Sequence, residues 1–217
     1  MAPSSISSSL SSTNARNDGT LRIDEARPSY SQRKGKGKAM IQCVGSWGRA
    51  IVAQLDPGAD LLESILTIIR DQNIKTGVIS SITGAISHAT LQHFSSNQEN
   101  ATNLIDVMDI EGPLECSGHG IIGAVNAPEM GTTPFGVGRY VHGAPYVHVH
   151  LTVTSHKETI CGHLMPGCIV WSKHPISHFT IMLAEITGVN LEMTTDASLE
   201  KQGAGRGVFH KLTQLPA

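Results

Sequence analysis

No apolar run in this sequence approaches the roughly 20 residues that a membrane-crossing helix needs. The opening residues also lack the apolar h-region of a secretory signal, so an intracellular, cytoplasmic protein without a membrane partner is expected. Excess charge is missing too. With 16 Lys+Arg against 18 Asp+Glu the net charge is −2 and the pI near 6.6, which gives no global pull toward nucleic acid or acidic membranes. Cysteine is scarce: Cys43, Cys116, Cys161 and Cys168 form no C-x-x-C pair, which argues against a disulfide framework and for a reducing compartment. Residues 1–39 are short of aliphatic periodicity and carry seven Ser among the first twelve positions. Such a segment buries too little surface to offset its ordering entropy, so a disordered arm is expected there. It ends in a basic run, Arg33 to Lys38, read either as a nuclear address or nucleic-acid contact, or as a solvated linker. The Ser content suits a transit peptide, but Asp18, Asp24 and Glu25 count against one.

What the chain has in surplus is histidine. Eleven occur in 217 residues, most of them between His142 and His178. The stretch Tyr146 to Leu164 organises the rest. Val147, Val149, Leu151 and Val153 alternate with His148, His150, Thr152 and Thr154, the period of a strand with two unlike faces. A polar turn at residues 155–158 leads into a second extended run, Thr159 to Leu164. Closed symmetrically, the hairpin sets Thr154 opposite Thr159, Thr152 opposite Cys161 and His150 opposite His163, with His148 one strand repeat along the same face. Opposed Cβ atoms lie about 4.5–5.5 Å apart, so three imidazoles converge. Three neutral imidazoles suit Zn²⁺, or another divalent metal, and leave a fourth position for water or substrate. The alternative is a half-exposed polar strand face, and a shifted turn would send His163 to the other side.

The remainder predicts an α+β fold: a mostly antiparallel β-sheet with one main helix packed on it. Asp60 is a helix N-cap with Glu63 in the capping-box position, and Leu61, Leu62, Ile65, Leu66 and Ile69 form an apolar stripe that ends near Asn73. Strands are expected at 49–55, 77–83, 85–94, 104–110, 114–122 and 179–186, with residues 189–193 closing the domain. The folded domain should occupy 40–195, and residues 196–217 should form a loosely ordered tail. Glu115 and His119 share a strand face as an acid–base candidate pair, with Glu115 as the partner that supports a metal ligand, or as an ordinary exposed pair. Residues 123–145, rich in Gly and Pro, read as a long loop in which Arg139 and His142 can reach an anionic substrate or the metal, or make an oligomer contact.

The stretch from Gly48 to Phe94 and the run YVHVHLTVTSHKETICGHLMPGCIV together resemble the PPC (plants and prokaryotes conserved) domain family, over about residues 48–194. The resemblance implies an antiparallel α+β domain assembled as a homotrimer, with metal, generally zinc, at the positions of His148, His150 and His163. Two departures stand out. Cys161 replaces the first Gly of the family's G-G-H-L and faces the metal side, as an added ligand, a nucleophile or a small residue in a crowded corner. The R-G-R-P type AT-hook of plant nuclear members is absent, and the basic run lacks its Arg-Pro core.

Three functions follow as expectations. The first is a zinc-dependent enzyme, lyase- or hydrolase-type, acting on a small oxygenated or carboxylated molecule. In it Glu115, His119, Cys161 or Tyr146 moves protons and Arg139 holds an anion. The second is a DNA-associated or regulatory trimeric scaffold. The third is a structural metal site closed by a fourth protein ligand such as Cys161.

Overall fold

The protein is represented by a computed structural model that describes residues 40–94, 105–127, 141–195 and 208–216. The Ser-rich arm, the basic run, the polar loop near residues 95–102 and Arg139 lie outside the described residues. Ten elements follow one another: β1 (Ser46–Gln54), α1 (Leu61–Gln72), β2 (Gly77–Phe94), β3 (Ile105–Asn126), β4 (Pro145–Thr154), β5 (Thr159–Leu164), β6 (Ile169–Val170), β7 (Thr180–Thr187), β8 (Val189–Thr195) and β9 (Val208–Gln214). Among the described residues the architecture is mostly sheet with a single helix.

The helix forms where its caps dictate. Asp60, in an extended conformation, accepts from the Glu63 amide at 3.0 Å and satisfies one of the amides that a helix start leaves orphaned. Its other carboxylate oxygen accepts from the Gly167 amide at 2.6 Å, which ties the helix start to the turn after β5. At the far end Asn73 adopts a left-handed conformation and its amide returns to the Arg70 carbonyl at 3.1 Å. Leu61, Leu62, Ile65 and Ile69 are buried in one core with Ile79, Ile82, Leu151 and Ile181. Each such side chain contributes on the order of 1.5–3 kcal/mol by leaving water.

The strands run in the order β1-β7-β2-β5-β4-β3-β8-β9, with β6 paired to β2. Beyond this path, β2 and β3 pair along most of their length, and β5 returns to β2 through Leu91↔Leu164 and Gln92↔His163. Strands β2, β3, β4 and β5 therefore close a ring, which holds the β4–β5 hairpin on both flanks. Among the described residues β3–β8 is the one parallel pair.

Four sequence expectations change. The strands expected at 77–83 and 85–94 are one strand, β2. Gly84 is needed there because a Cβ would sit 2.5 Å from the Phe179 ring, not because the chain turns. The two strands expected on either side of Gly112-Pro113 are likewise one, β3. The proline, which has no amide to donate, is absorbed in a bulge opposite Ser87, where the pairing steps from Ile86↔Leu114 to His88↔Glu111. Residues 123–126, expected in a loop, extend β3. Residues 208–214, expected in a loose tail, form β9 and pair with β8 from Val189↔Gln214 to Thr195↔Val208. No helix among the described residues is long and apolar enough to cross a membrane.

Candidate metal centre

The β4–β5 hairpin has the register that its alternation dictates: His150↔His163, Thr152↔Cys161 and Thr154↔Thr159 are direct partners. Val149, Leu151, Val153 and Leu164 are buried on the core side. The burial of that face pins the register, because a slip of one residue would turn the displaced strand's apolar side chains into water. On the opposite face the rings of His148, His150 and His163 gather with centroids 4.6–5.1 Å apart. One nitrogen from each lies within 4.8 Å of the others. His148 Nε2 and His150 Nε2 are 3.1 Å apart. Two ligands bonded to one zinc at 2.0–2.1 Å in tetrahedral geometry would be about 3.3 Å apart, so the pair fits a shared cation.

β3 flanks the hairpin along the other edge of β4. A Cβ on Gly118 would sit 2.8 Å from the His150 carbonyl oxygen, and one on Gly120 would collide with that of His148. The two glycines flanking His119 thus let β3 approach β4 closely at the histidines. His163 donates from Nδ1 to the Gln92 carbonyl at 3.3 Å, which puts the lone pair of the neutral ring on Nε2.

The electrostatics favour neutral rings. Burial, reinforced by His163, His210 and His150, pushes His148 down to about 4. His150 is lowered by burial first, then by His163 and His119. An imidazole must be unprotonated to ligate, so at neutral pH both keep a lone pair available.

The remaining sequence candidates are distributed more widely. His119 pairs with His150 across β3–β4, its ring nearly parallel at a centroid distance of 6.4 Å, outside the donor cluster. Glu115 lies on the same exposed face but four residues along β3, about 13 Å at strand rise. It lines a separate cleft of about 540 Å³ with Pro113, Thr154, Ser155, His156 and Trp171. Cys161 is exposed opposite Thr152, one strand repeat from His163. The other two cysteines of the core are chemically quiet, since burial pushes Cys116 up to about 12 and Cys168 up to about 11. His142 is exposed. His88 is held 3.3 Å from each of Asp109 and Glu111.

Two participants carried no usable sequence signal. Gln92 acts through its main-chain oxygen. His210 arrives on β9, its Nε2 2.7 Å from the Tyr146 hydroxyl, which itself lies 3.4 Å from His148 Nδ1.

The family model of the Plants and Prokaryotes Conserved (PCC) domain matches residues 42–187. A curated relative, the bifunctional protein GlmU of a Synechococcus strain, is 25% identical over 154 residues. That match covers 70% of this chain, and this chain spans 18% of the relative's length. Among solved structures, a metal-containing protein of Archaeoglobus fulgidus is 18% identical with a TM-score of 0.55, covering 82% of this chain and 100% of that one. A plant- and prokaryote-conserved (PPC) protein of Pyrococcus horikoshii is 19% identical with a TM-score of 0.56, covering 80% and 99%. A Bacteroides thetaiotaomicron protein, provisionally described as DNA-binding, is 16% identical with a TM-score of 0.53, covering 77% and 96%. These likenesses establish a shared fold.

Proposed function

The chain belongs to the Plants and Prokaryotes Conserved (PCC) domain family, and we propose on that footing that it is a metal-holding regulatory module, DNA-associated and assembled as a homotrimeric scaffold. The observation that carries the metal part is the convergence of His148, His150 and His163 within 4.8 Å. An all-imidazole donor set suits zinc among the common divalent ions. The regulatory part draws support from what surrounds the triad. No carboxylate joins the cluster among the described residues, and Glu115, the acid–base candidate, belongs to another cleft. One relative of the same fold is provisionally described as DNA-binding and another as metal-containing. The basic run Arg33 to Lys38 supplies a positive arm for phosphate contact.

Fluorescence anisotropy of the full chain on duplex DNA, across a salt series, tests this reading. Binding should weaken as salt rises, and replacing Arg33, Lys34, Lys36 and Lys38 with Ala should flatten the slope by about 0.9 per lost phosphate contact. A wild-type chain that ignores DNA at low salt overturns the DNA association.

The exposure of one side of the triad favours a second reading. His150 and Cys161 both face solvent, and a three-ligand zinc supplies an open Lewis-acid position when bound. As an enzyme the chain would take a small oxygenated or carboxylated substrate in lyase- or hydrolase-type chemistry. His119, Cys161 or Tyr146 would carry the proton, Arg139 would hold an anionic group, and Glu115 would act from its own cleft. Turnover that disappears in His148→Ala would favour this reading over the scaffold.

A further inference from the structure

Four residues form one row across the sheet. His119 pairs with His150, His150 with His163, and His163 with Gln92, so the row crosses β3, β4, β5 and β2. Directly opposed Cβ atoms lie about 4.5–5.5 Å apart. One step along β2 and β5 from the last pair, Leu91 opposes Leu164, and both belong to the core. Alternation therefore sets Gln92 on the face that carries the histidines. Exposure falls along the row: His119 and His150 are exposed, His163 is half-buried and Gln92 is only 6% exposed.

Among the described residues three polar ones are buried: Thr76, Gln92 and Ser177. Thr76 accepts from the Leu191 amide at 3.2 Å. Ser177 accepts from the Phe179 amide at 3.2 Å and donates to the Leu55 carbonyl. Gln92 differs from both. Its main-chain oxygen takes the His163 Nδ1–H at 3.3 Å, but its side-chain amide makes no hydrogen bond among the described residues. A buried carboxamide that uses neither its donors nor its acceptor is costly, and such a group marks the place of a water, an ion or a ligand.

We propose that Gln92 is a guest-binding residue of the three-His centre, and that the guest is a small carboxylate. The proposal rests on the metal reading above. Three neutral imidazoles bring no charge to a divalent cation, and no carboxylate joins them among the described residues, so an anionic oxygen donor balances the site best. Asp109, opposite Thr90 on the same face, is already engaged by Thr90 Oγ1 at 2.7 Å and His88 Nε2 at 3.3 Å. A carboxylate has two oxygens. The Gln92 amide N–H donates to one of them and leaves the other for the cation that the imidazoles share. One residue then serves the centre twice, its carbonyl orienting His163 and its side chain holding the guest.

Gln92→Met and Gln92→Leu remove the amide and keep the main-chain carbonyl. Thermal melting of the metal-free full chain, and acetate titration of the cobalt-loaded chain followed by its visible spectrum, test the proposal. Because the amide is unpaired in the fold, both variants should melt no lower than wild type. Cobalt uptake should be unchanged, since the carbonyl that orients His163 stays. Acetate should shift the visible bands of the wild type, and the variants should need about 10–100-fold more acetate for the same shift, the loss expected for a hydrogen bond to a charged group. Cobalt that loads but gives a spectrum blind to acetate, or equal acetate affinity in wild type and variants, overturns this proposal alone. Melting several degrees below wild type in both variants also overturns it, because the amide then has a partner in the fold. A wild type that takes up no cobalt overturns the metal reading, and the proposal falls with it.

Discussion

His150 lies directly opposite His163 across the β4–β5 hairpin, with ring centroids 4.6 Å apart. His119 lies opposite His150 on its other flank, yet its ring is 6.4 Å away and outside the donor cluster. The two neighbours of one residue should therefore behave differently. In zinc titrations His163→Ala should lose high-affinity binding, while His119→Ala should stay within about threefold of wild type. Equal losses would place His119 among the ligands.

The metal-free protein should lose stability as acid is added. His148 sits at about 4 in the fold against an ordinary 6.5, so the unfolded chain takes up its proton first. The contribution of the neutral ring is full above about pH 6.5 and is lost as pH falls toward about 4. His150 and His210, lowered mainly by burial, act with the same sign. Urea midpoints of wild type and His148→Ala should converge as pH falls through that window. Curves that stay parallel from pH 7 to 4 would mean that His148 is not depressed. Protons compete with metal for the same lone pairs, so zinc should be released over this range too.

Gly120→Ala should disturb both the fold and the site. A Cβ there collides with the His148 carbonyl oxygen and approaches Val149 Cγ2 to 2.9 Å. Forcing β3 off β4 should cost about 1–3 kcal/mol. A melting temperature unchanged from wild type would show that the strands have room to spare.

The cysteines should separate by reactivity. In the folded protein at pH 7 a maleimide should label exposed Cys161 quickly and leave Cys116 and Cys168 untouched, since those two are buried with pKa values pushed up to about 12 and about 11. Fast labelling of Cys116 or Cys168 would mean that the core opens.

The hairpin was legible because three local signals agree there. β-branched alternation gives the faces, the polar stretch at 155–158 gives the turn, and the turn gives the register, which the pairing His150↔His163 follows. The helix was legible for the same reason, since Asp60 and Asn73 stand at the ends of a clean apolar stripe. What local pattern could not convey is pairing at a distance. Gly112-Pro113 reads as a break, yet the long partner β2 carries β3 through it as a bulge. β9 has little alternation of its own and exists because β8 offers it an edge. His210 enters the site only by way of that pairing, and Gln92 reaches His163 by way of its carbonyl. Glu115 marks another limit of local pattern. Its spacing from His119 fixes a shared face but not a shared site.

Metal content of the full chain after zinc loading and desalting, for wild type and for His148→Ala, His150→Ala and His163→Ala, tests the central claim most directly. The account predicts about one zinc per wild-type chain and almost none in each variant. A wild type that leaves the column metal-free, or variants that retain as much zinc as wild type, would contradict it.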